Sequence, residues 1–348
     1  MRAALAWDQP VSVPFVPAHT TPSSNRRLLL RSRPSCHPRI DDLQLEETAR
    51  PTISAGQVLV RSIYLSADPV QRGWAAVQPL DTVMRGLAVG VIVESLRAGF
   101  IEGDLVFGTF GWQDYCVPAE GDILSHVAEP VLPASAYAGV LGMPGVTAWL
   151  ALRGIAPPQA GQRVLVSTAA GAVGSVVGQL VSRAGALPYG LTGSPEKVAR
   201  CLDRFGYIAC ADYKADDVED FLSQHQAAGF ETFFDNTGGW ILDTAIRHMA
   251  RFGKVIQCGT AATSSWSPPP FGLRNEREVL TRALTWTGFV VFDHRSLFNT
   301  AVQDLSRIVV DEGLNFDEDI DHGIERAPAA LDDVISGRNV GKKLIFIG

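Results

Sequence analysis

Apolar positions along the chain change their period once. Between about residues 25 and 141 they fall in short runs, at 28–31, 43–46, 58–64, 89–94, 104–107 and 115–117. Gly, Pro and Asp punctuate these runs, as in Gly103-Asp104 and Pro118-Ala119-Glu120-Gly121. That pattern predicts the strands and turns of a β-rich unit. After Gly142 strands alternate with helical spacing. Residues 163–167 read as a strand, and Val173, Val176, Val177, Leu180 and Val181 then recur on one helical face. A second strand at 189–192 leads to a helix over 195–205. A third at 231–235 leads to a helix with Leu242, Ala245, Ile246 and Met249 on one side. Strands at 254–258 and 285–292 and a helix through 302–310 follow, then a helix at 327–336 and a closing strand at 343–347. Such alternation predicts βαβ units around a parallel sheet.

Composition narrows the class. The chain has 348 residues, enough for two domains, with 46% hydrophobic and 19% charged residues, an ordinary soluble balance. A net charge of −7 with scattered basic residues argues against a nucleic-acid partner. No apolar run approaches the roughly 18 residues of a membrane span. The five cysteines, Cys36, Cys116, Cys201, Cys210 and Cys258, are odd in number, widely spaced and lack a CxxC pair. Reduced thiols in a cytoplasmic protein are expected, not a disulfide framework or a metal cluster. Residues 1–24 carry four prolines and no sustained periodicity, so a loosely ordered, dispensable extension is expected there.

The chemistry concentrates in VLVSTAAGAVGSVVGQL, residues 164–180. A buried strand runs into Gly171, Ala172, Val173 and Gly174, and a helix opens at once. Small residues let the backbone approach a diphosphate, and the helix N-terminus offers free N–H groups and partial positive charge. This strand–turn–helix context predicts a dinucleotide site. The second strand ends Leu191-Thr192-Gly193-Ser194, without the carboxylate that would hold the ribose of NAD, and Lys197 follows on the next helix. A missing acid and a nearby ammonium favour a 2′-phosphate, hence NADP(H).

GMPGVTAW (142–149), STAAGAVGSVVGQ (167–179), GSPEKVA (193–199) and FDNTGG (234–239) resemble the zinc-independent medium-chain dehydrogenase/reductases. The likeness is to the prostaglandin reductase and alkenal (enone) double-bond reductase group in particular. YLSADPVQRG (64–73), GWQDY (111–115), GFVVFD (288–293) and GRNVGKKL (337–344) extend it over essentially all of residues 25–348. The resemblance implies a Rossmann domain, 142–318, inserted into a GroES-like β-rich catalytic domain made of 25–141 plus 319–348. It implies that Gly171–Gly174 hold the diphosphate, that Lys197 and Tyr213 meet the 2′-phosphate, and that Asn236 lies beside the cofactor. It places Cys258, Gly259 and the loop through Ser264 along the nicotinamide side, with Phe289, Val290, Val291 and Asn339 closing over it. A homodimer through the Rossmann half is implied too, with 288–293 at the joining edge.

No metal site is expected. Tyr64-Leu65-Ser66-Ala67-Asp68 carries Ser and Ala where a catalytic thiolate would be wanted, and His19 and His126 lack a nearby cysteine. The expected activity is therefore NADPH-dependent reduction of the C=C bond of an α,β-unsaturated carbonyl, by hydride transfer to the β-carbon. The enolate that results needs a hydrogen-bond donor, with Tyr64 and Ser264 as candidates and Tyr115 behind them. Two positions depart from the family. Ser264 stands where a tyrosine is usual, and Val70-Gln71 stand where Tyr-Met is common. Both fall on the expected pocket and predict a wider one, suited to ring-bearing enones unless Trp266 fills the gap. Two other readings share the cofactor features: a pathway-specific reductase or dehydrogenase for a bulky natural-product intermediate, and an NADPH-binding protein without turnover.

Overall fold

The computed structural model describes residues 15–33, 42–225, 228–262 and 275–348. In chain order the first part holds β1 (Ser24–Leu30), β2 (Leu43–Ala49), β3 (Val58–Ser66), helix α1 (Val70–Val77), β4 (Ala88–Ser95), β5 (Leu105–Gly108), β6 (Tyr115–Cys116) and β7 (Ile123–Val127). Helix α2 (Met143–Gly154) leads into β8 (Arg163–Ser167), α3 (Gly174–Arg183), β9 (Leu187–Thr192), α4 (Pro195–Arg204), β10 (Ala209–Asp212) and α5 (Val218–His225). Next come β11 (Phe230–Asp235), α6 (Gly239–Ile246), β12 (Met249–Gln257), α7 (Glu276–Thr281), β13 (Thr285–Gly288) and α8 (Phe298–Glu312). The chain closes with β14 (Glu318–His322), α9 (Ala327–Ile335) and β15 (Lys342–Phe346).

Six strands form a parallel sheet in the order β10-β9-β8-β11-β12-β13. This is the doubly wound Rossmann order, in which the direction of winding reverses between the first and fourth strands, here β8 and β11. Residues such as Val164, Val166, Phe233 and Phe234 are fully buried because helices cover both faces. A second sheet runs β14-β15-β3-β4-β5-β7, with β6 on β3, and β1 and β2 form a separate antiparallel pair. Strands β14 and β15 come from the far end of the chain, so the two ends of the sequence meet in one sheet. Helix α2 packs against α3 and α8. It is apolar almost all round and is buried from Pro144 to Leu152, as a helix without a polar face must be.

The structure refines the predicted elements in four places. Strand β10 and helix α5 lie between the second and third predicted strands, so 231–235 belongs to the fourth strand of the parallel sheet. Strands β7 and β14 carry polar residues such as His126 and Asp319 and lack a clear alternation. The run 285–292 is extended only to Gly288, after which the chain turns. Fourth, the expectation of a loose leading segment does not hold for residues 15–24. The Phe15 carbonyl accepts from the Ala134 amide at 2.6 Å, the Thr20 carbonyl from Arg61 Nε at 3.0 Å, and the Pro22 carbonyl from the Tyr115 hydroxyl at 2.9 Å. Buried donors need acceptors, and this segment supplies them without any hydrophobic period that the sequence would show. Residues 1–14 lie outside the described residues.

Candidate functional site

The site grows from the reversal point of the parallel sheet. Strand β8 ends at Ser167, and Thr168 takes a left-handed backbone conformation, with φ of 52°. A β-branched residue is strained there, and its hydroxyl is held against that of Thr237 at 2.9 Å. The chain then turns through Gly171 to Gly174. A Cβ on Gly171 would sit 2.7 Å from Thr168 Cγ2, and one on Gly174 would sit 2.3 Å from the Thr168 carbonyl. Only glycine permits this close turn. Helix α3 starts at Gly174, and no side chain caps it. The Ser175 and Val176 amides donate to the Gly171 and Val173 carbonyls at 2.9 and 3.1 Å, so the turn and the positive end of the helix dipole are what this end offers an anion. Tyr207 supports the turn from behind, donating to the Gly174 carbonyl at 2.7 Å.

Strand β11, next to β8, ends at Asp235, which is fully buried. Its carboxylate accepts from Ser167 Oγ at 2.7 Å, from the Thr237 and Gly238 amides at 2.9 Å, and from Gln257 Nε2 at 2.7 Å. Burial pushes its pKa up, and these donors pull the other way. One carboxylate thus fixes the loops after β8, β11 and β12. Asn236 continues the network, its amide donating to Ser167 Oγ and its Nδ2 to the Ser167 carbonyl, both at 2.8 Å. Gly259 passes so close to Asn236 that a Cβ would meet its carbonyl at 2.5 Å. Burial, then Asp235, push the Cys258 thiol up to about 12, so it is neutral and no nucleophile.

At the far end of the turn lies the region expected to meet a 2′-phosphate. Ser194 caps α4 by accepting from the Lys197 amide at 3.3 Å. The Lys197 ammonium donates to the Gly337 carbonyl at 2.6 Å. Burial lowers its pKa first, and the positive charge of Lys214 lowers it further. The Tyr213 hydroxyl and Lys214 both close on Gly193, where a Cβ would meet them at 2.7 and 3.3 Å. Two ammonium groups and a phenol therefore converge at the end of β9. An anion placed between them would relieve like-charge repulsion, so the residues fit a dinucleotide carrying an extra phosphate. Lys214 escaped the sequence reading, because its lysine follows a different strand, and only the fold brings β9 and β10 side by side.

The remaining predicted residues lie on β3, in the turn after β13 and in the chain between α9 and β15. Phe289 and Val291 are buried, whereas Val290 between them is 55% exposed. Asn339 donates to the Gly341 carbonyl at 2.8 Å. Arg72, on α1, donates to the Ala261 carbonyl at 3.1 Å and joins α1 to the loop after β12. Tyr64 packs on Phe346 with ring centroids 5.4 Å apart. Its pKa is raised by burial and then by Glu318, and its hydroxyl makes no hydrogen bond among the described residues. Tyr115, the reserve donor, gives its hydroxyl to Pro22 and is structural. Ser264 and Trp266 lie outside the described residues.

Where a zinc dehydrogenase of the superfamily would place a ligand, this chain places an ion pair. Ser66 Oγ donates to Asp68, and Lys342 Nζ reaches Asp68 Oδ1 at 2.6 Å with both side chains buried. Among the described residues no three His, Cys, Asp or Glu side chains gather in a way that could hold a metal ion.

Comparison with known proteins agrees with this geometry. Residues 26–127 match a family described as the N-terminal domain of oxidoreductase, and residues 172–307 one described as zinc-binding dehydrogenase. The 2-alkenal reductase (NADP(+)-dependent) of Nicotiana tabacum is 30% identical over 93% of this chain and 98% of its own length. The NADPH-dependent curcumin reductase of Escherichia coli is 31% identical over 93% of this chain and 97% of its own. Prostaglandin reductase 1 of Sus scrofa is 32% identical over 89% and 95%. Among solved structures, CurA from Vibrio vulnificus superimposes with a TM-score of 0.86 at 31% identity, covering 93% of this chain and 99% of that one. By these matches the chain belongs to the medium-chain dehydrogenase/reductase superfamily, in the group that contains the alkenal, curcumin and prostaglandin reductases.

Proposed function

We propose that the chain reduces the C=C bond of an α,β-unsaturated carbonyl with NADPH and without a metal. The observation that carries this reading is the end of β9. There Lys197, Lys214 and Tyr213 converge, and β9 itself runs into Gly193 and Ser194 without a carboxylate, in line with an α3 that no side chain caps at the reversal point of the sheet. The printed names of the relatives, an NADP(+)-dependent 2-alkenal reductase and an NADPH-dependent curcumin reductase, support it.

In this reading Gly171, Ala172, Val173 and Gly174 hold the diphosphate, and Lys197, Tyr213 and Lys214 the 2′-phosphate. Asn236, Cys258 and Gly259 line the nicotinamide side, and Phe289, Val291 and Asn339 cover it. When bound, NADPH supplies the hydride that adds to the substrate β-carbon. The chain's own task is to hold the enone against that face, exclude water, and donate a hydrogen bond to the carbonyl oxygen as negative charge gathers there. Tyr64 is the described group suited to the last role, since its hydroxyl is unengaged and burial keeps it protonated. Ser264 is the second candidate. The pathway-specific alternative draws on Val70, a small residue 38% exposed at the start of α1.

The working division is 25–141 plus 319–348 for catalysis and 142–318 for the cofactor. Among the described residues no strand pairs with the outer side of β13, and Trp286, Leu280 and Phe252 are 41%, 79% and 69% exposed around it. An apolar free edge favours pairing with a second copy, and a homodimer joined there is the expected assembly. Among the described residues no helix is long and apolar enough to cross a membrane, and the cytoplasm is the expected compartment. The activity is tested by following NADPH and NADH consumption with a panel of enones.

A further inference from the structure

Helix α4 carries Lys197 on its first turn, with Arg200 and Arg204 further along the same side. Both arginines end on one carboxylate. Arg200 Nη1 reaches Asp317 Oδ2 at 2.6 Å and Arg204 Nη2 reaches Asp317 Oδ1 at 3.0 Å, and the aspartate side chain is only 10% exposed. Glu196 adds a contact to Arg200 at 3.2 Å, but its side chain is 65% exposed. Solvent screens that pair, so Asp317 dominates.

Asp317 is itself held in place. Its carbonyl accepts from the Lys342 amide at 2.8 Å. A Cβ on Gly341 would come within 2.2 Å of that oxygen, so the entry to β15 fits against it only with glycine there. Two residues earlier, Asn315 is pinned from the other side. Its amide donates to Gln179 Oε1 and its carbonyl accepts from Gln179 Nε2, both at 2.8 Å, and its Nδ2 donates to the Arg204 carbonyl at 3.2 Å. The strap 315–317, between α8 and β14, thereby joins α3, which opens at the diphosphate turn, to α4, which bears Lys197. Lys197 is tied at its own end to the Gly337 carbonyl. An ammonium on a flexible four-carbon stem is a movable charge, so where it stands depends on where the helix beneath it is fixed.

We propose that Asp317 is a positioning residue for cofactor choice: by holding Arg200 and Arg204 it fixes α4 so that the Lys197 ammonium meets a 2′-phosphate. The proposal rests on the phosphate role given to Lys197 above. Charge alone predicts the opposite sign, because removing a carboxylate near an anion site favours the anion. Positioning predicts that Asp317→Asn weakens NADPH binding.

The test measures the dissociation constants of NADPH and NADH, without substrate, for the wild type, Lys197→Ala, Asp317→Asn, Arg200→Lys and the double variant Lys197→Ala/Asp317→Asn. In Asp317→Asn the ratio of the NADH constant to the NADPH constant is expected to fall about fivefold, a large part of the roughly tenfold assigned to the lysine, while NADH binding stays level. The double variant should be no less selective than Lys197→Ala, since a residue that acts through the lysine adds nothing once the lysine is gone. Should Asp317→Asn fail to fold, Arg200→Lys reports in its place. It keeps the charge and loses the planar fork, and the ratio should fall about threefold. An unchanged or increased ratio in the reporting variant, or equal weakening of both cofactors, refutes the positioning role when Lys197→Ala still loses selectivity. If Lys197→Ala keeps its selectivity, the phosphate role itself falls, and the positioning role with it.

Discussion

Lys197 donates from its ammonium to the carbonyl oxygen of Gly337 at 2.6 Å, and so ties the first turn of α4 to the chain just after α9. One N–H is engaged this way, and the others remain for a phosphate, with Lys214 supplying the second positive charge. Lys197→Ala removes a charge-assisted contact worth about 1.5–3 kcal/mol. The KM for NADPH should rise about tenfold or more, while that for NADH should scarcely move. Equal losses for both cofactors would remove the phosphate role. A pH dependence follows from the same pair. Burial and Lys214 lower the Lys197 pKa, so the free site loses its charge at a lower pH than an ordinary lysine would. NADPH affinity should therefore decline as pH rises through that lowered value, and NADH affinity should stay level. Lys197→Arg, charged throughout, should flatten the decline.

Asp235 joins three loops through four buried donors. Asp235→Ala leaves at least two of them without an acceptor, at a cost of about 3 kcal/mol in folding stability. Chemical denaturation should show that loss, and NADPH binding should weaken with it. A variant as stable as the wild type would mean that these loops hold themselves.

Tyr64→Phe isolates the proposed hydrogen-bond donor, because it removes one oxygen and keeps the ring on Phe346. Loss of a donor aimed at developing negative charge costs about 10²-fold in kcat. The expected result is that drop in kcat with an unchanged NADPH dissociation constant. Unchanged kcat would transfer the role elsewhere, with Ser264 next to test.

The leading segment offers a test of folding. Arg61 is fully buried and donates to the carbonyls of Thr20 and Ile347 at 3.0 and 2.6 Å. Deleting residues 1–23 removes the first of these acceptors and the Pro22 carbonyl that Tyr115 uses. A loss of about 2 kcal/mol is expected on denaturation, and no loss would show that water replaces both acceptors.

Much of the cofactor half was legible because its signals are local. A buried strand, a small-residue turn and an amphipathic helix lie within residues 164–180, and β8 has the bounds that the sequence predicts. The missing acid after β9 could likewise be read directly. What escaped depends on residues far apart in the chain. Lys342 and Asp68 are separated by 274 positions, and Arg72 and Ala261 by 189. No periodicity carries such pairings. The strained backbone of Thr168 escaped for another reason, since nothing in Ser167-Thr168-Ala169 announces a positive φ on a β-branched residue. Asp235 was visible inside FDNTGG, yet its organising role emerges only when the loops after β8 and β12 are seen to converge on it.

The central claim is that the chain delivers a hydride from NADPH to the β-carbon of an enone. The most direct measurement incubates the protein with an enone and NADPH deuterated at the transferable position, then locates the label in the product by NMR. The account predicts NADPH consumption, a saturated ketone, and deuterium on the β-carbon, with NADH much less effective. An allylic alcohol carrying the label on the carbonyl carbon, or no consumption with any enone by a protein that binds NADPH, would contradict it.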